Sequence, residues 1–261
     1  MSITALSIRR PSPAVAEVWL NRPELRNAFN DAMIAELTAT FGQLAEEPDL
    51  RVVVLAAEGK AFCAGADLNW MRAMADYSWE QNRADAQALA DMLWTLQRCP
   101  VPVVGRVQGD CYAGGVGLAA VCDVLIAVEG ANFCLSEARL GLLPATIGPY
   151  VIRAIGERAS RRYFSTAERF SAAEAHRLGL VHTLCTPDEL DAQVQATVDA
   201  LVANSPAAVR ACKQLVHDLA GQPLSEALRN DTARRIADIR CSPEGKEGVS
   251  AFLQKRPAAW L

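Results

Sequence analysis

Long apolar runs are absent from this sequence of 261 residues. No stretch of about 18 consecutive apolar residues occurs, so we expect no membrane-spanning helix. No long apolar segment follows Arg9 and Arg10, and we therefore expect no secretory signal. An excess of basic charge is absent too, because 26 Lys and Arg stand against 30 Asp and Glu and give a net charge of −4. This balance disfavours non-specific binding to nucleic acid or to acidic membranes.

Paired cysteines and clustered histidines are also missing. The eight cysteines include no CxxC pair and the three histidines form no metal motif, so the spacing predicts no metal site. Several cysteines lie in apolar segments, where a free cysteine behaves as a small hydrophobic residue. We expect reduced thiols and a cytoplasmic location, and surface or capping roles for His176, His182 and His217.

Three common catalytic fingerprints are absent or incomplete. The sequence has no GxSxG and no GxxxxGK[ST], which leaves a nucleophile-elbow hydrolase and a P-loop enzyme without support. Gly115–Ala120 resembles the dinucleotide fingerprint GxGxxA. That fingerprint must open a full crossover helix, whereas the next strand is predicted from near Cys122. The short interval disfavours NAD binding.

The sequence does contain enough apolar residues for a large core, since 51% of its residues are hydrophobic and 21% are charged. Apolar runs predict strands at 2–9, 14–20, 51–57, 101–107 and 123–128, with the first pair broken at Pro11-Ser-Pro13. Caps and helical spacing predict a helix after Asn30, a long helix from Ser78 to about Gln97, and a short one ending near Val121. Strand signals almost vanish after residue 145, where helices are predicted at 147–156, 158–165, 172–178, 188–203, 206–219, 223–240 and 243–254.

Two glycine-bearing turns each follow an apolar strand. The first contains Ala64-Gly-Ala66 and the second contains Ala113-Gly-Gly115. Small residues leave the backbone uncovered, so its N–H groups can approach a ligand closely. An oxyanion hole requires two such donors, and the turns predict one donor from each.

A partial internal repeat links the first turn to a later segment. Leu55-Ala-Ala-Glu-Gly-Lys-Ala-Phe-Cys63 and Ile126-Ala-Val-Glu-Gly-Ala-Asn-Phe-Cys134 match at five of nine positions. A strand, a Glu-Gly turn and a Phe-Cys strand that recur indicate stacked coils of similar units. Two ordinary hairpins would give the same pattern, so this feature alone leaves both arrangements open.

Glu137 is the acidic residue with the clearest catalytic context. It follows a predicted strand and precedes a Gly-Leu-Leu-Pro turn. A carboxylate at a strand end beside an apolar pocket would have its pKa raised by desolvation, which suits a general acid or base. The alternative is a structural glutamate at a helix N-terminus, where the helix dipole favours it.

Lys255 and Arg256 form a basic end near the C-terminus. Two adjacent cations could meet a phosphate-bearing ligand. A solvated helix end, favoured by the helix dipole, would have the same composition, so both interpretations stay open at this point.

Together these motifs resemble the crotonase (enoyl-CoA hydratase/isomerase) family over nearly the whole chain. The segments that carry the resemblance are 20–29, 61–68, 107–109, 113–115, 122–123, 133–142 and 252–256. The resemblance implies an α/β fold, namely a crotonase-like spiral of ββα units with a helical C-terminal trimerisation region. The spiral core with CoA and the active site would span 1–200, and the oligomerisation region 201–261. A homotrimer or homohexamer is implied, as are an acyl-CoA substrate, no separate cofactor, no metal, and no nucleic-acid or membrane partner.

The resemblance also implies roles for individual residues. The backbone N–H groups of Ala66 and Gly114 would hold the thioester oxygen as it becomes an enolate. The stretch 64–69 would contact CoA through its backbone, and cationic side chains would meet its phosphates. The residues implied to bind the CoA thioester are Arg26, Ala28, Ala64, Ala66, Asp67, Leu68, Asn69, Gly114, Lys255 and Arg256.

Hydratases of this family commonly carry two glutamates. The second corresponds to Glu137, whereas the first corresponds to Gly117, which can act as neither acid nor base. The segments 114–120 and 134–156 look most like the methylglutaconyl-CoA and carboxygeranoyl-CoA hydratase branch, which acts in leucine and acyclic-terpene breakdown. The resemblance therefore implies reversible hydration of a branched or carboxylated 2-enoyl-CoA, with Glu137 positioning water and relaying a proton to Cα.

Arg72, Arg83 and Arg139 are candidates to bind a substrate carboxylate, because they lie close in sequence to the site loops. Two other functions remain open. A Δ3,Δ2-enoyl-CoA isomerase also needs only one glutamate, which shuttles a proton between carbons. The other is a non-catalytic CoA-binding or RNA-binding protein of the same fold, although the net charge of −4 weighs against RNA.

Overall fold

A computed structural model describes residues 4–261, in which strands and helices alternate up to residue 185 and helices follow. The strands of this part of the chain are β1 (Leu6–Ser12), β2 (Val15–Leu20), β3 (Val52–Ala57), β4 (Val103–Val107), β5 (Cys111–Tyr112), β6 (Val124–Val128), β7 (Asn132–Cys134), β8 (Arg169–Ser171) and β9 (Thr183–Cys185). The α-helices are α1 (Asp31–Ala45), α2 (Leu68–Met74), α3 (Trp79–Gln97), α4 (Gly114–Ala120), α5 (Gly148–Thr166), α6 (Ala172–Arg177), α7 (Leu190–Val202), α8 (Pro206–Leu219), α9 (Glu226–Cys241) and α10 (Pro243–Leu253).

Two sheets organise the core. The larger sheet has the order β1-β2-β3-β4-β6-β9 and is parallel from β2 onward. Its central strands are almost continuously apolar and buried, because helices or further strands cover both faces of a parallel sheet. The smaller sheet has the order β5-β7-β8, and a parallel bridge between Cys63 and Cys111 extends it by one segment.

The internal repeat corresponds to stacked coils of the chain. Its first copy runs from β3 to Cys63 and its second runs from β6 to β7. The chain between them adds β4 to the larger sheet and β5 to the smaller one. Each coil thus contributes one extended segment to each sheet before it enters a helix, which confirms the predicted spiral of ββα units.

Local signals explain several helices. In α1 the buried residues are Met33, Ile34, Leu37, Phe41 and Leu44, at the helical spacing read from the sequence, and Asn30 caps the Met33 N–H. Helix α3 begins with the predicted Ser78 and Gln81 capping box. The two helices predicted at 147–156 and 158–165 are the two parts of α5, which are separated at Gly156 by a non-helical φ of +76°.

Other elements differ from the prediction. Strand β1 continues through Pro11 to Ser12, with a shift of register between Arg9 and Ser12. This is possible because an edge strand tolerates proline. Residues 2 and 3 of the predicted first strand lie outside the described residues. Strands β8 and β9 have three residues each, too few for a period to be recognised.

The C-terminal helices are joined to the core through α8. The Lys213 Nζ lies 2.7 Å from an Asp123 carboxylate oxygen and 3.1 Å from the Val101 carbonyl. Arg210 donates to the Leu50 carbonyl at 2.8 Å. A helical C-terminal region is therefore confirmed, whereas its boundary at 201 and its role in assembly stay predictions. None of the helices within residues 4–261 combines the length and apolarity needed to cross a membrane.

Candidate active site

Three neighbouring extended segments of the smaller sheet end at one edge. Cys63 is bridged in parallel to Cys111, and β5, which begins at Cys111, pairs in parallel with β7, which ends at Cys134. Three residues after each of these cysteines lie the predicted catalytic residues Ala66, Gly114 and Glu137. Because the carboxyl ends of parallel strands share an edge, where α/β folds place their ligands, the fold brings the three together.

The Ala66 N–H is not used by the hydrogen bonds that hold its own turn. In the parallel bridge between Phe29 and Ala66, the Phe29 N–H donates to the Gly65 carbonyl and the Asp67 N–H donates to the Phe29 carbonyl, both at 2.7 Å. Such a bridge uses groups on either side of its central residue. The Ala66 N–H therefore faces away from Phe29, has no acceptor within residues 4–261, and is available to a ligand.

The predicted second donor, the Gly114 N–H, lies at the start of α4. Ala113 precedes this helix with φ +46°, and its N–H donates to the Cys134 carbonyl at 2.8 Å. The first N–H groups of a helix have no intrahelical acceptor, and no described residue accepts from Gly114. A Cβ built on Gly65 would lie 3.1 Å from the Ala113 Cβ. The two turns are therefore in contact, as a pair of oxyanion donors requires.

Glu137 begins the 3₁₀ helix Glu137–Leu140, three residues after β7 ends at Cys134. Its side chain is half-buried, and its Oε2 is buried with no hydrogen-bond partner among the described residues. Burial raises the pKa of Glu137 above its ordinary value of 4.5, because removal of water disfavours the charged form. A carboxyl group with a raised pKa and a free oxygen can accept and return a proton during a reaction.

An ion pair that sequence reasoning missed supports the first turn. The Arg22 guanidinium lies 2.8 Å from Asp67 Oδ2 and also donates to the Ala28 carbonyl at 2.6 Å. Asp67 Oδ1 caps α2 by accepting from the Asn69 N–H at 2.8 Å. Burial alone would raise the pKa of Asp67, but the Asn69 N–H and the Arg22 guanidinium hold it below its usual value. An aspartate just before a helix is a cap signal that could have revealed α2.

Asn27 was also missed, and it holds the segment before the first turn. It is fully buried, with φ +55°. Its side chain donates to the Glu58 and Ala61 carbonyls at 2.8 and 2.9 Å and accepts from the Arg22 N–H at 2.9 Å. These bonds tie the chain before Phe29 to the loop after β3. Asn27 therefore helps to orient the bridge that frees the Ala66 N–H.

The predicted CoA contacts around the first turn form one surface. Arg26 is exposed, and its carbonyl accepts from the Ala64 N–H at 3.0 Å, so that N–H is already used. Ala28 is buried, whereas Leu68 and Asn69 are exposed. The contacts of these residues with CoA stay predictions, and the fold places all of them beside Ala66.

The basic tail lies elsewhere in the single chain. Arg256 forms a bidentate pair with Glu247 at 2.6 and 2.8 Å, and Lys255, with φ +54°, is exposed. The Trp260 carbonyl accepts from Arg51 at 3.1 Å, next to the amino end of β3, whereas both turns follow the carboxyl ends of strands. The structure therefore does not bring the chain's own tail to the turns, and a contact of the tail with CoA phosphates stays a prediction.

Gly117, where the resemblance implies a glutamate in other hydratases, has no free space beside it. It is buried one turn after Gly114 on α4. A Cβ built on Gly117 would overlap the Ile147 Cγ2 and would lie 2.9 Å from the Ile147 Cβ and 3.6 Å from the Leu93 Cδ2. A glutamate at this position would therefore have to displace Ile147.

The three candidate arginines have different surroundings. Arg139 donates to the Ala167 carbonyl at 2.7 Å. The Arg83 guanidinium lies 5.8 Å from the centre of the Trp79 ring. Arg72, on α2 directly after the first turn, donates to the exposed Asn69 side chain at 2.6 Å. Of the three, Arg72 is on the element that starts at the turn carrying Ala66.

Comparison with known proteins gives consistent matches along the chain. Residues 10–261 match the family model described as enoyl-CoA hydratase/isomerase. A protein of Mycobacterium bovis named probable enoyl-CoA hydratase echA8 is 35% identical over 247 residues, which cover 93% of this chain and 92% of that protein. The mevalonyl-coenzyme A hydratase sidH of Aspergillus fumigatus is 31% identical over 255 residues, which cover 96% and 92% of the two proteins.

Solved structures agree with the sequence matches. The crystal structure of an enoyl-CoA hydratase from Shewanella pealeana superposes with a TM-score of 0.95 and is 42% identical. The superposition covers 99% of this chain and 97% of the other. The similarity therefore includes the coils that carry Ala66, Gly114 and Glu137 as well as the C-terminal helices.

Proposed function

Because the chain belongs to the enoyl-CoA hydratase/isomerase family, we propose that it adds water reversibly to the double bond of a 2-enoyl-CoA thioester. The Ala66 and Gly114 N–H groups hold the thioester oxygen as negative charge develops on it. Each such donor contributes roughly 3–4 kcal/mol of transition-state stabilisation. CoA is part of the substrate, and the proposed reaction uses no further cofactor and no metal.

Glu137 carries the proton chemistry in this proposal. Its carboxylate accepts a proton from water while the water oxygen forms a bond to Cβ, and the π electrons move onto the thioester oxygen as an enolate. The protonated Glu137 then returns a proton to Cα, and the enolate collapses to the 3-hydroxyacyl thioester. The observation that carries the proposal is the buried Glu137 Oε2, which has no partner in the described residues and therefore needs one from the reacting molecules.

We propose a branched or carboxylated acyl group for the substrate. One relative is named for mevalonyl-CoA, whose acyl group is branched. Arg72 is our candidate to bind a substrate carboxylate, because the Asn69 side chain already orients it beside the first turn. Arg72→Gln should raise KM for 3-methylglutaconyl-CoA by roughly 5-fold, as for an exposed charge pair. It should leave KM for crotonyl-CoA unchanged, and equal effects on both substrates would remove Arg72 from carboxylate recognition.

Isomerisation of a 3-enoyl-CoA is the second candidate function. It is favoured by the single carboxylate, because Ile147 fills the space beside Gly117 and a proton shuttle between two carbons needs one base. A spectroscopic assay separates the reactions, since hydration removes the absorbance of a conjugated enoyl thioester and isomerisation of a 3-enoyl thioester creates it. Substrates should include crotonyl-CoA, 3-methylglutaconyl-CoA and a 3-enoyl-CoA. Turnover of none of them, with CoA thioesters still bound, would favour a non-catalytic CoA-binding protein.

We also propose that the protein assembles as a homotrimer or homohexamer in the cytoplasm. The C-terminal helices and their neighbouring loop expose large apolar side chains, including Leu224 at 96%, Phe252 at 81% and Leu253 at 73%. Where such side chains form a contiguous exposed patch, the patch commonly marks a protein contact. Light scattering coupled to gel filtration should give three or six times the chain mass, and a monomer would contradict this part of the proposal.

A further inference from the structure

The loop after Glu137 is fastened to the helix that carries the second oxyanion donor. From the 3₁₀ helix Glu137–Leu140 the chain runs to Ile147, which is the residue immediately before α5. Ile147 is 2% exposed and seats its side chain against Gly117 of α4. This buried contact adds to the hydrogen bond from the Ala113 N–H to the Cys134 carbonyl, and both connect the segment that bears the carboxylate to the helix that begins at Gly114.

The contact depends on the absence of a side chain at Gly117. A Cβ there would overlap the Ile147 Cγ2 and lie 2.9 Å from its Cβ, closer than an ordinary contact of 3.4 Å or more. The Leu93 Cδ2, at 3.6 Å, closes the same space from α3. Gly117 has helical backbone angles, so its small size serves the approach of Ile147 and not an unusual conformation.

We infer that Ile147 is a positioning residue. It packs against Gly117 and thereby fixes the Glu137 carboxylate relative to the Gly114 N–H. The inference rests on the proposed function, because it assigns the carboxylate and the N–H to one reaction. Nothing in it requires Ile147 to touch the substrate. We therefore predict that a change in the contact between Ile147 and Gly117 impairs the chemical step, while the surface that binds CoA remains intact.

The distance by which Ile147 must move gives the expected loss of kcat. To accept a methyl group at Gly117, Ile147 must withdraw by on the order of 1 Å. A misplacement of about 1 Å near a reaction centre costs roughly 10²-fold in rate. We therefore expect Gly117→Ala to lower kcat by about 100-fold and to change KM for the enoyl-CoA by less than about twofold.

Two matched glycine substitutions separate positioning from general damage. Gly42→Ala, on α1, adds a methyl group with no neighbouring side chain from residues 4–261 within 4 Å, and it should leave kcat and KM unchanged. Gly105→Ala, on β4, forces a methyl group against Leu125 of β6 and against Cys122, which precedes β6. It should lower stability at least as much as Gly117→Ala without the selective loss of kcat.

A second experiment relieves the overlap between Ile147 and the added methyl group. Ile147→Ala removes the overlapping Cγ2 but keeps the Cβ at 2.9 Å, so in Gly117→Ala/Ile147→Ala the remaining shift is about half as large. The double variant should recover about 10-fold of the lost kcat. Should Gly117→Ala not fold, Ile147→Val becomes the test, and it should lower kcat several-fold at constant KM.

A readout that does not need turnover distinguishes failure of this inference from failure of the proposed function. The free energy of unfolding of the wild-type protein should depend on pH through Glu137. The difference between this pH dependence and that of Glu137→Gln measures the contribution of Glu137. In Gly117→Ala that difference should shrink, because the displaced carboxylate gains water. If no enoyl thioester is turned over, the proposed function fails. The difference in pH-dependent stability still tests whether the contact between Ile147 and Gly117 positions Glu137. An unchanged difference, or a kcat loss in Gly105→Ala equal to that in Gly117→Ala, would overturn the inference.

Discussion

The two copies of the internal repeat have the same local architecture and present different groups at the same edge of the smaller sheet. Each copy runs through a strand and a Glu-Gly turn to a Phe-Cys segment of the smaller sheet. Three residues later the first copy presents the Ala66 backbone, whereas the second presents the Glu137 side chain. The spiral thus supplies equivalent positions along one edge, and the residue placed there decides whether a backbone N–H or a carboxylate is available.

The two positions also differ in their surroundings. Ala66 offers only its backbone, and the bridge to Phe29 leaves that N–H without an acceptor among the described residues. Glu137 needs its side chain in a place where water is scarce, and its Oε2 is buried without a partner among the described residues. The first copy therefore lowers the stability of the fold little, while the second leaves a carboxylate oxygen buried without a partner among the described residues. Experiments that change each copy separately can test this contrast.

The largest expected effect is on the second copy. Glu137→Gln keeps the shape of the side chain but cannot accept a proton, so kcat should fall by roughly 10³- to 10⁴-fold, as for loss of a general acid or base. KM should change little, and kcat measured across pH should lose the limb that reports the raised pKa of Glu137. Glu129→Gln, at an exposed glutamate of the same repeat copy, is the control. Unchanged turnover in Glu137→Gln would remove Glu137 from the mechanism.

The corresponding change in the first copy should have the next largest effect. Ala66→Pro deletes an N–H that donates to no described residue. The two hydrogen bonds of the bridge to Phe29 do not use this N–H, so the bridge can persist while one proposed oxyanion donor is lost. The expected loss of kcat is about 10²- to 10³-fold. Ala66→Gly keeps the N–H and should retain most of the activity. Equal losses in the two variants would indicate that the side chain, and not the donor, is what matters.

Much of this contrast could be predicted from sequence. The repeat, the small residues around Ala66 and Gly114, and the acid after Cys134 are local patterns. The raised pKa of Glu137 also follows from its position after a buried strand. The resemblance of the motifs to a known family supplied the assignment of the donors, since small residues alone do not distinguish a catalytic turn from a structural one.

Other parts of the site could not be read from local patterns. Arg22 and Asp67 are 45 residues apart, and Ile147 reaches Gly117 from a different coil. Neither contact leaves a periodic signal, because each arises only when the coils stack. For the same reason a sequence can show that a glutamate is missing at Gly117 without showing that another side chain has taken its space.

The Glu-Gly turns of the repeat should differ in stability. Gly59 has φ +77°, and a Cβ there would lie 2.8 Å from the Pro23 Cβ, whereas a Cβ built on Gly130 would meet no atom of the described part of the chain within 4 Å. Gly59→Ala should therefore lower the free energy of unfolding by about 1–3 kcal/mol, through strain and overpacking. Gly130→Ala should change it by less than about 0.5 kcal/mol. Equal urea midpoints for the two variants would show that the turns are equivalent after all.

The smallest expected effect concerns the cost of the buried carboxylate. Burial raises the folded-state pKa of Glu137 above 4.5, so between 4.5 and the raised value the folded chain binds more protons than the unfolded chain. Stability from this group is then lost as pH rises through that window. Glu137→Gln does not titrate, and it should be more stable than the wild type by about 1 kcal/mol at pH 7, the low end of the cost of an unsatisfied buried group. Below about pH 4.5 the two proteins should unfold alike. Urea unfolding from pH 4 to pH 8 measures the difference, and a gap that is the same at every pH would show that burial does not disfavour the ionised form of Glu137.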